Sequence, residues 1–255
     1  MQHPVLLRRL ISQKHKIMSA KIFCLAWIAF LPFWAAASYR GTSGVPSDEE
    51  TRQVSGFHAL SNSGSIEVEV RFGNRESVRL EGDGDLLREI ETVVEDGTLK
   101  IRYRRGVRFD GFRSGKVKAY VTARRLNALS MSGSGSIQVS GPVTGDELAA
   151  SLSGSGWISV ESNVSELNAA ISGSGRIAVH GRAERSNVSL SGSGRFQGEK
   201  LKSRQASVKI SGSGNIYIHA DAQLDASISG SGNVNYSGNA VTNVRTAGSG
   251  KVRKT

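Results

Sequence analysis

From Val54 onward, apolar and polar residues alternate with a period of two, the mark of half-buried strands. Ile66, Val68 and Val70 alternate with Glu67, Glu69 and Arg71, giving a strand with a charged outer face, and Val78 and Leu80 mark the next. The alternation breaks at Leu86-Leu87-Arg88-Glu89-Ile90. With Asp83-Gly84-Asp85 in front, that segment predicts one helical turn capped by an aspartate. Thr92–Glu95 and Thr98–Tyr103 flank Asp96-Gly97, a pair favoured in type I′ hairpin turns. Residues 104–115 read as a glycine- and arginine-rich loop, and Lys116 to Val121 as a further strand.

The second half adds a longer period. Ser-Gly-Ser-Gly occurs six times, starting at residues 132, 153, 172, 191, 211 and 229, and Ala-Gly-Ser-Gly follows at 247. Short apolar alternations flank each copy, and a repeat near 20 residues marks a stacked-rung solenoid. Within the third copy Ala169, Ile171, Gly173, Gly175, Ile177 and Val179 share one parity, and the other copies behave alike. On an extended backbone both glycines then face inward with the aliphatics and both serines face water. Two accounts of the glycines stay open: a narrow interior corner where only hydrogen fits, or a tight turn that needs positive φ. Glycine inside regular structure costs roughly 0.5–1 kcal/mol against alanine, so fourteen of them imply a steric demand rather than a flexible linker. Alanine is the largest residue expected to fit at Gly173 or Gly192.

These patterns predict an all-β chain: a right-handed parallel β-helix, a single-domain solenoid with rungs of about 20 residues, behind an irregular hairpin-containing N-terminal part. About seven rungs are expected over Leu126 to Arg253. Ile137, Val139, Leu152, Ile158, Val160, Ile171, Ile177, Val179, Leu190, Ile210, Ile216, Ile218 and Ile228 are the expected core.

The N-terminus changes the picture of where the chain works. Residues 1–38 carry Arg8, Arg9, Lys14, Lys16 and Lys21 but no acid, then an apolar run from Ile22 to Ala37 with a small-residue exit. This is the pattern of a secretory signal peptide, starting at Met1 or Met18. The run is interrupted by Pro32 and is shorter than the ~20 residues of a spanning helix, although an uncleaved anchor is the alternative. Residues 39–53 read as a flexible leader and 54–255 as the folded domain, divided into 54–125 and the repeats of 126–255. Cys24, the sole cysteine, lies within the apolar run and lacks the small apolar neighbours of a lipidated cysteine. The exported chain must therefore hold together by packing and backbone ladders. Export implies the periplasm or outer surface of a bacterium.

Gly56-Phe57-His58-Ala59-Leu60, Gly64-Ser65-Ile66-Glu67-Val68, Glu95-Asp96-Gly97-Thr98-Leu99-Lys100-Ile101 and the repeated Ser-Gly-Ser-Gly together resemble the head GIN domain family of putative auto-transporter adhesins. The resemblance covers Val54 to Lys251. It implies a bacterial envelope protein of right-handed parallel β-helix type and supplies neither an activity nor site residues. Many relatives look like lipoproteins, an anchoring for which this chain lacks the cysteine.

Candidate chemistry is sparse. His58, His180 and His219 are scattered, no Gly-x-Ser-x-Gly elbow occurs, and no acidic pair recurs along the rungs, so no catalytic residue is assigned. A calcium β-roll needs an aspartate in each turn, where this chain has Ser136, Trp157, Arg176, Arg195, Asn215, Asn233 and Lys251. Glu81, Asp83 and Asp85 read as a turn and helix cap rather than a cation site. No cofactor or metal is expected.

Binding candidates are electrostatic and aromatic. The formal charge is +11, falling to +6 without the signal segment, and Lys100 to Arg125 holds ten basic residues against Asp110. Arg102, Arg104, Arg105, Arg108, Lys116 and Lys118 are expected side by side as one positive surface for anionic envelope polymers or lipid head groups. Export argues against nucleic acid, the generic partner of such charge. Two outward serine columns and Trp157 form a second strip. Its serines either face a ligand or bond their rung neighbours, and Trp157 either contacts a partner or packs against an end loop. Arg245, Lys251, Arg253 and Lys254 load the last rung with charge that discourages edge-to-edge growth. The expected function is a non-enzymatic envelope or surface module binding a polymer or partner protein. A carbohydrate-active β-helix enzyme and a ligand-free scaffold are the alternatives.

Overall fold

A computed structural model of the chain describes residues 48–106 and 115–255. The predicted signal peptide, the leader up to residue 47 and Arg108 lie outside the described residues.

The N-terminal part contains β1 (Asp48–Arg52), β2 (Ala59–Gly64), β3 (Glu67–Phe72), β4 (Ser77–Gly82), α1 (Gly84–Glu89), β5 (Ile90–Glu95), β6 (Thr98–Tyr103) and β7 (Lys118–Ala123). The single helical turn forms where the capped segment predicts it: the Asp83 carboxylate accepts from the amides of Asp85 (2.9 Å) and Leu86 (3.4 Å). β5 and β6 pair antiparallel around Asp96 (φ 50°) and Gly97 (φ 70°), the two positive φ values of a type I′ turn. Asp48–Arg52 corrects the expectation of a flexible leader through residue 53. It is strand β1, antiparallel to β4. Arg52 secures it, donating to the carbonyls of Ile90 (2.6 Å) and Leu87 (2.9 Å), which no alternation pattern records.

The repeats form β8 (Ala128–Gly133), β9 (Ser136–Gly154), β10 (Trp157–Gly173), β11 (Arg176–Gly192), β12 (Arg195–Gly198), β13 (Leu201–Gly212), β14 (Asn215–His219), β15 (Gln223–Gly230), β16 (Asn233–Ser237), β17 (Val241–Ala247) and β18 (Lys251–Lys254). They pair parallel throughout, in a β-solenoid of about seven turns. Each turn has an outgoing limb after its Ser-Gly-Ser-Gly corner and a returning limb before the next. Identical positions stack in register. On the returning limb the inward column runs Leu152, Ile171, Leu190, Ile210, Ile228. On the outgoing limb it runs Ile137, Ile158, Ile177, Phe196, Ile216, Val234. All of these are buried, as is every other expected core residue. Each such side chain contributes about 1.5–3 kcal/mol of burial, which is what a cysteine-free chain has to rely on.

Copy starts lie 18 to 21 residues apart, yet the corners stay aligned. The surplus is absorbed opposite the serine corner. Between β9 and β10 the pairing shifts from Ser159↔Gln138 to Glu161↔Pro142, which loops out two residues of β9. The ladder also extends further towards the N-terminus than the repeats do. β2 pairs with β8 so that Gly64 aligns with Gly133, and β3 pairs with both β7 and β9. Ser63-Gly64-Ser65-Ile66 is thus a further corner, with Ile66 in place of the second glycine.

Both accounts of the glycines hold, one for each. The first glycine of a copy has positive φ (116° at Gly173, 108° at Gly192), whereas the second needs no unusual φ. A Cβ on Gly175 would lie 2.5 Å from the Gly156 carbonyl oxygen and 2.6 Å from Leu152 Cδ2. Parity survives because the turn is a bend that leaves the second glycine buried. Alanine does not fit as expected: a Cβ on Gly173 would meet the Gly154 carbonyl oxygen at 2.6 Å, and on Gly192 the Gly173 oxygen at 2.6 Å.

Candidate functional site

The basic stretch is divided by the topology. β6 joins β2 and β5 on one branch of the sheet, whereas β7 joins β3 and β4 on another. Arg102 on β6 and Lys118 on β7 therefore do not share a branch. Part of the charge also meets acids: among the described residues, Lys100, Arg102 and Lys116 make ion pairs. Arg102 Nε donates to Glu91 at 2.8 Å, which raises the arginine pKa further, and Glu95 stands 3.9 Å away. Lys100 pairs with Glu95 at 2.5 Å and holds that carboxyl below the ordinary range. Lys116 lies 3.7 Å from Glu67, and Lys118 is the register partner of both Glu67 and Glu81. Arg104 and Arg105 are exposed just after β6. Counting within the stretch missed these acids because antiparallel and parallel pairing bring them in from 5 to 51 positions away.

Trp157 belongs to a different arrangement. It begins β10 and is half-buried, in register with Arg176 of β11, which is in register with Arg195 of β12. Three successive corners each present serine, glycine and one larger side chain. Ser155, Gly156 and Trp157, then Ser174, Gly175 and Arg176, then Ser193, Gly194 and Arg195 line a shallow groove of about 290 Å³. Strand spacing sets neighbouring corners ~4.8 Å apart. Arg176 and Arg195 are exposed, and neither makes an ion pair among the described residues.

The backbone explains why the serines remain available. The first glycine's carbonyl accepts from amides of the next turn: Ser174 N (3.0 Å) and Gly175 N (2.9 Å) on Gly154 O, with Ser155 and Gly156 repeating this on Gly133, and Ser193 N alone (2.9 Å) on Gly173 O. The ladder thus needs no side-chain hydroxyl. Ser153, Ser155, Ser172, Ser174, Ser191 and Ser193 are exposed, and none of their hydroxyls bonds another described residue. Of the two readings of the serines, hydroxyl bonding between rung neighbours is not seen at these six. A larger depression of about 480 Å³ on the returning limbs has the opposite character. Its amides are engaged with each other and with acids, Asn187 donating to Asn168 (2.9 Å) and Glu166 (2.9 Å), and Asn168 to Glu147 (2.8 Å).

His219 has partners the sequence did not reveal. Its Nδ1 is 2.9 Å from Ser237 Oγ and its Nε2 3.1 Å from Asp221 Oδ1. The trio links β14 to β16 opposite the serine corner, away from the groove. His180 is exposed beside Glu161 at 3.8 Å. Among the described residues no cluster of histidine, cysteine and carboxylate side chains is arranged to hold a metal ion.

The fold is similar to three crystal structures. A putative adhesin from Bacteroides fragilis superposes with TM-score 0.74 at 19% identity, covering 83% of this chain and 98% of that one. A putative adhesin from Parabacteroides merdae gives TM-score 0.67 at 21% identity, covering 82% and 96%. A putative lipid binding protein from Parabacteroides distasonis gives 0.65 at 25% identity, covering 82% and 96%. Comparison with curated proteins gives no significant match. The model of one family matches residues 56–240, from the segment leading into β2 to the turn before the last rung, so the chain belongs to the putative auto-transporter adhesin, head GIN domain family.

Proposed function

We propose that the protein is a non-enzymatic, exported adhesin-like module that binds an extended anionic polymer along its serine corner. One observation carries this reading: Trp157, Arg176 and Arg195 stand in register on successive turns beside hydroxyls that the fold leaves unbonded. An aromatic face, cations at rung spacing and a row of hydroxyl donors form a surface that an acidic glycan chain matches along its length. The family's description as adhesins agrees with a surface role, and the rigid ladder keeps the groups aligned without ordering cost on binding. The basic stretch becomes a secondary contact, since its members stand on two branches of the sheet and Lys100, Arg102 and Lys116 already meet acids there.

The test is binding of polygalacturonate and dextran sulfate by the exported chain. Arg176→Ser with Arg195→Ser is expected to weaken binding at least about tenfold, a loss of ~1.4 kcal/mol. Trp157→Ala should weaken it comparably, whereas Arg104→Ser, Arg105→Ser and Arg108→Ser together should change it little. Binding should fall steeply between about 0.15 M and about 1 M salt. A loss confined to the triple change would move the site to the basic stretch, and salt-insensitive binding would remove the electrostatic reading. New reducing ends or unsaturated products would establish an enzyme instead. Absence of binding to every polymer would favour a scaffold.

A further inference from the structure

The two ends of the solenoid carry opposite charge on strands whose outer edges pair with no further strand among the described residues. At the N-terminal end the outermost strands are β1 and β5. Residues 48–52 and 77–96, which build this cap, contain ten acids and three arginines. The arginines are already engaged within it, Arg79 with Glu49 at 2.6 Å, Arg52 with Glu50 at 3.0 Å, and Arg88 with Asp85. Lys100 and Arg102 of β6, with Arg104 and Arg105 just after it, add four cations, so acids still outnumber bases ten to seven. At the C-terminal end the outermost strands are β17 and β18. Residues 241–255 contain Arg245, Lys251, Arg253 and Lys254 and no acid. Here the core is open as well: Val241 is 77% and Val244 44% exposed, and Val244 continues the inward column of Val208 and Ala226.

We infer that copies of this chain associate head to tail, the basic C-terminal rung of one stacking on the acidic N-terminal cap of the next. Strand directions permit it. β1 is antiparallel to β4, and β4 to β7, so β1 runs with the outgoing limbs to which β18 belongs. A copy translated along the stack sets β18 beside β1 in parallel. β5 is antiparallel to β6, which runs with the returning limbs, so β17 meets β5 antiparallel. Both are ordinary ladders. The charge on the last rung then has a directional effect. It repels the same end of another copy, as the sequence alone suggests, and attracts the opposite end. A heterologous contact of this kind does not close on itself and yields linear oligomers.

Light scattering on the exported chain over a range of concentrations tests this. The wild type is expected to form concentration-dependent oligomers that dissociate as salt rises from about 0.15 M to about 1 M, where the Debye length shrinks from ~8 Å to ~3 Å. Lys251→Glu, Arg253→Glu and Lys254→Glu together should give monomer, and so should Asp48→Lys with Glu49→Lys. Mixing the two reversed proteins should restore association, because each then offers the end the other lacks. Unchanged melting of the C-terminal variant, whose three residues make no ion pair among the described residues, separates lost association from lost folding. A wild type that stays monomeric at every concentration overturns the inference and points to another segment of the chain covering the edges. Oligomers that survive the N-terminal reversal would mean tail-to-tail pairing and overturn it equally.

Discussion

Each corner glycine is held by two separate requirements, and they predict different costs. Gly173 combines a φ of 116° with a Cβ position 2.6 Å from the Gly154 carbonyl oxygen, and that oxygen is already fixed by two amides. Neither partner can give way without breaking the ladder. Gly173→Ala should therefore cost about 2–5 kcal/mol, from ~1–2 for the left-handed backbone and ~1–3 for overpacking. In melting temperature that is a fall of roughly 5–15 °C for a domain of this size. Ser174→Ala, which removes an exposed hydroxyl without a bonded partner, should stay within about 0.5 kcal/mol by the same measurement.

Among the elements, β1 depends most on a single side chain. Its ladder with β4 is five residues long, four of those residues are exposed, and Arg52 supplies its link to α1 and β5. Arg52→Ala should raise hydrogen exchange in β1 and α1 while leaving β10 and β11 protected, because the change stays local. Acid should have a similar, weaker effect. The hydrogen bond from Arg52 holds the Glu50 carboxyl below its ordinary value, so the pair stabilises the fold above the unfolded carboxylate range, near ~4.3. That contribution is lost as pH falls through the lowered folded value. Glu50 is 47% exposed, so the loss should appear as faster β1 exchange rather than as global unfolding.

At the scale of the whole molecule, stability is a sum of neighbouring turns. Interior turns are covered above and below, whereas every residue of β17 is exposed. Exchange protection should therefore fall sharply from β15 to β17, and Gly248→Ala should fray the last turn without shifting the main melting transition. Should head-to-tail stacking occur, that gradient should flatten at high protein concentration. Equal protection in β11 and β17 of the monomer would contradict the nearest-neighbour picture.

Solenoid, corner and core were legible in the sequence because a stacked repeat encodes tertiary contacts locally: each position meets its own counterpart one turn away. Ile171 packs over Leu152 for the same reason that Gly173 sits over Gly154. The hairpin and the aspartate-capped turn were legible because their determinants are adjacent residues. The fate of the charges was not. Glu67 faces Lys118, and Glu91 faces Arg102, only once the N-terminal strands have paired, so part of a run of cations along the chain meets acids. Asp48–Arg52 looked like leader for lack of apolar residues, yet backbone pairing and one arginine hold it against β4. The alignment of Trp157 with Arg176 and Arg195, and the opposite charge of the two ends, depend on register and strand order across the whole stack. Only the tertiary structure decides them, because the electrostatic field of a surface is set by distance in space and not by distance along the chain.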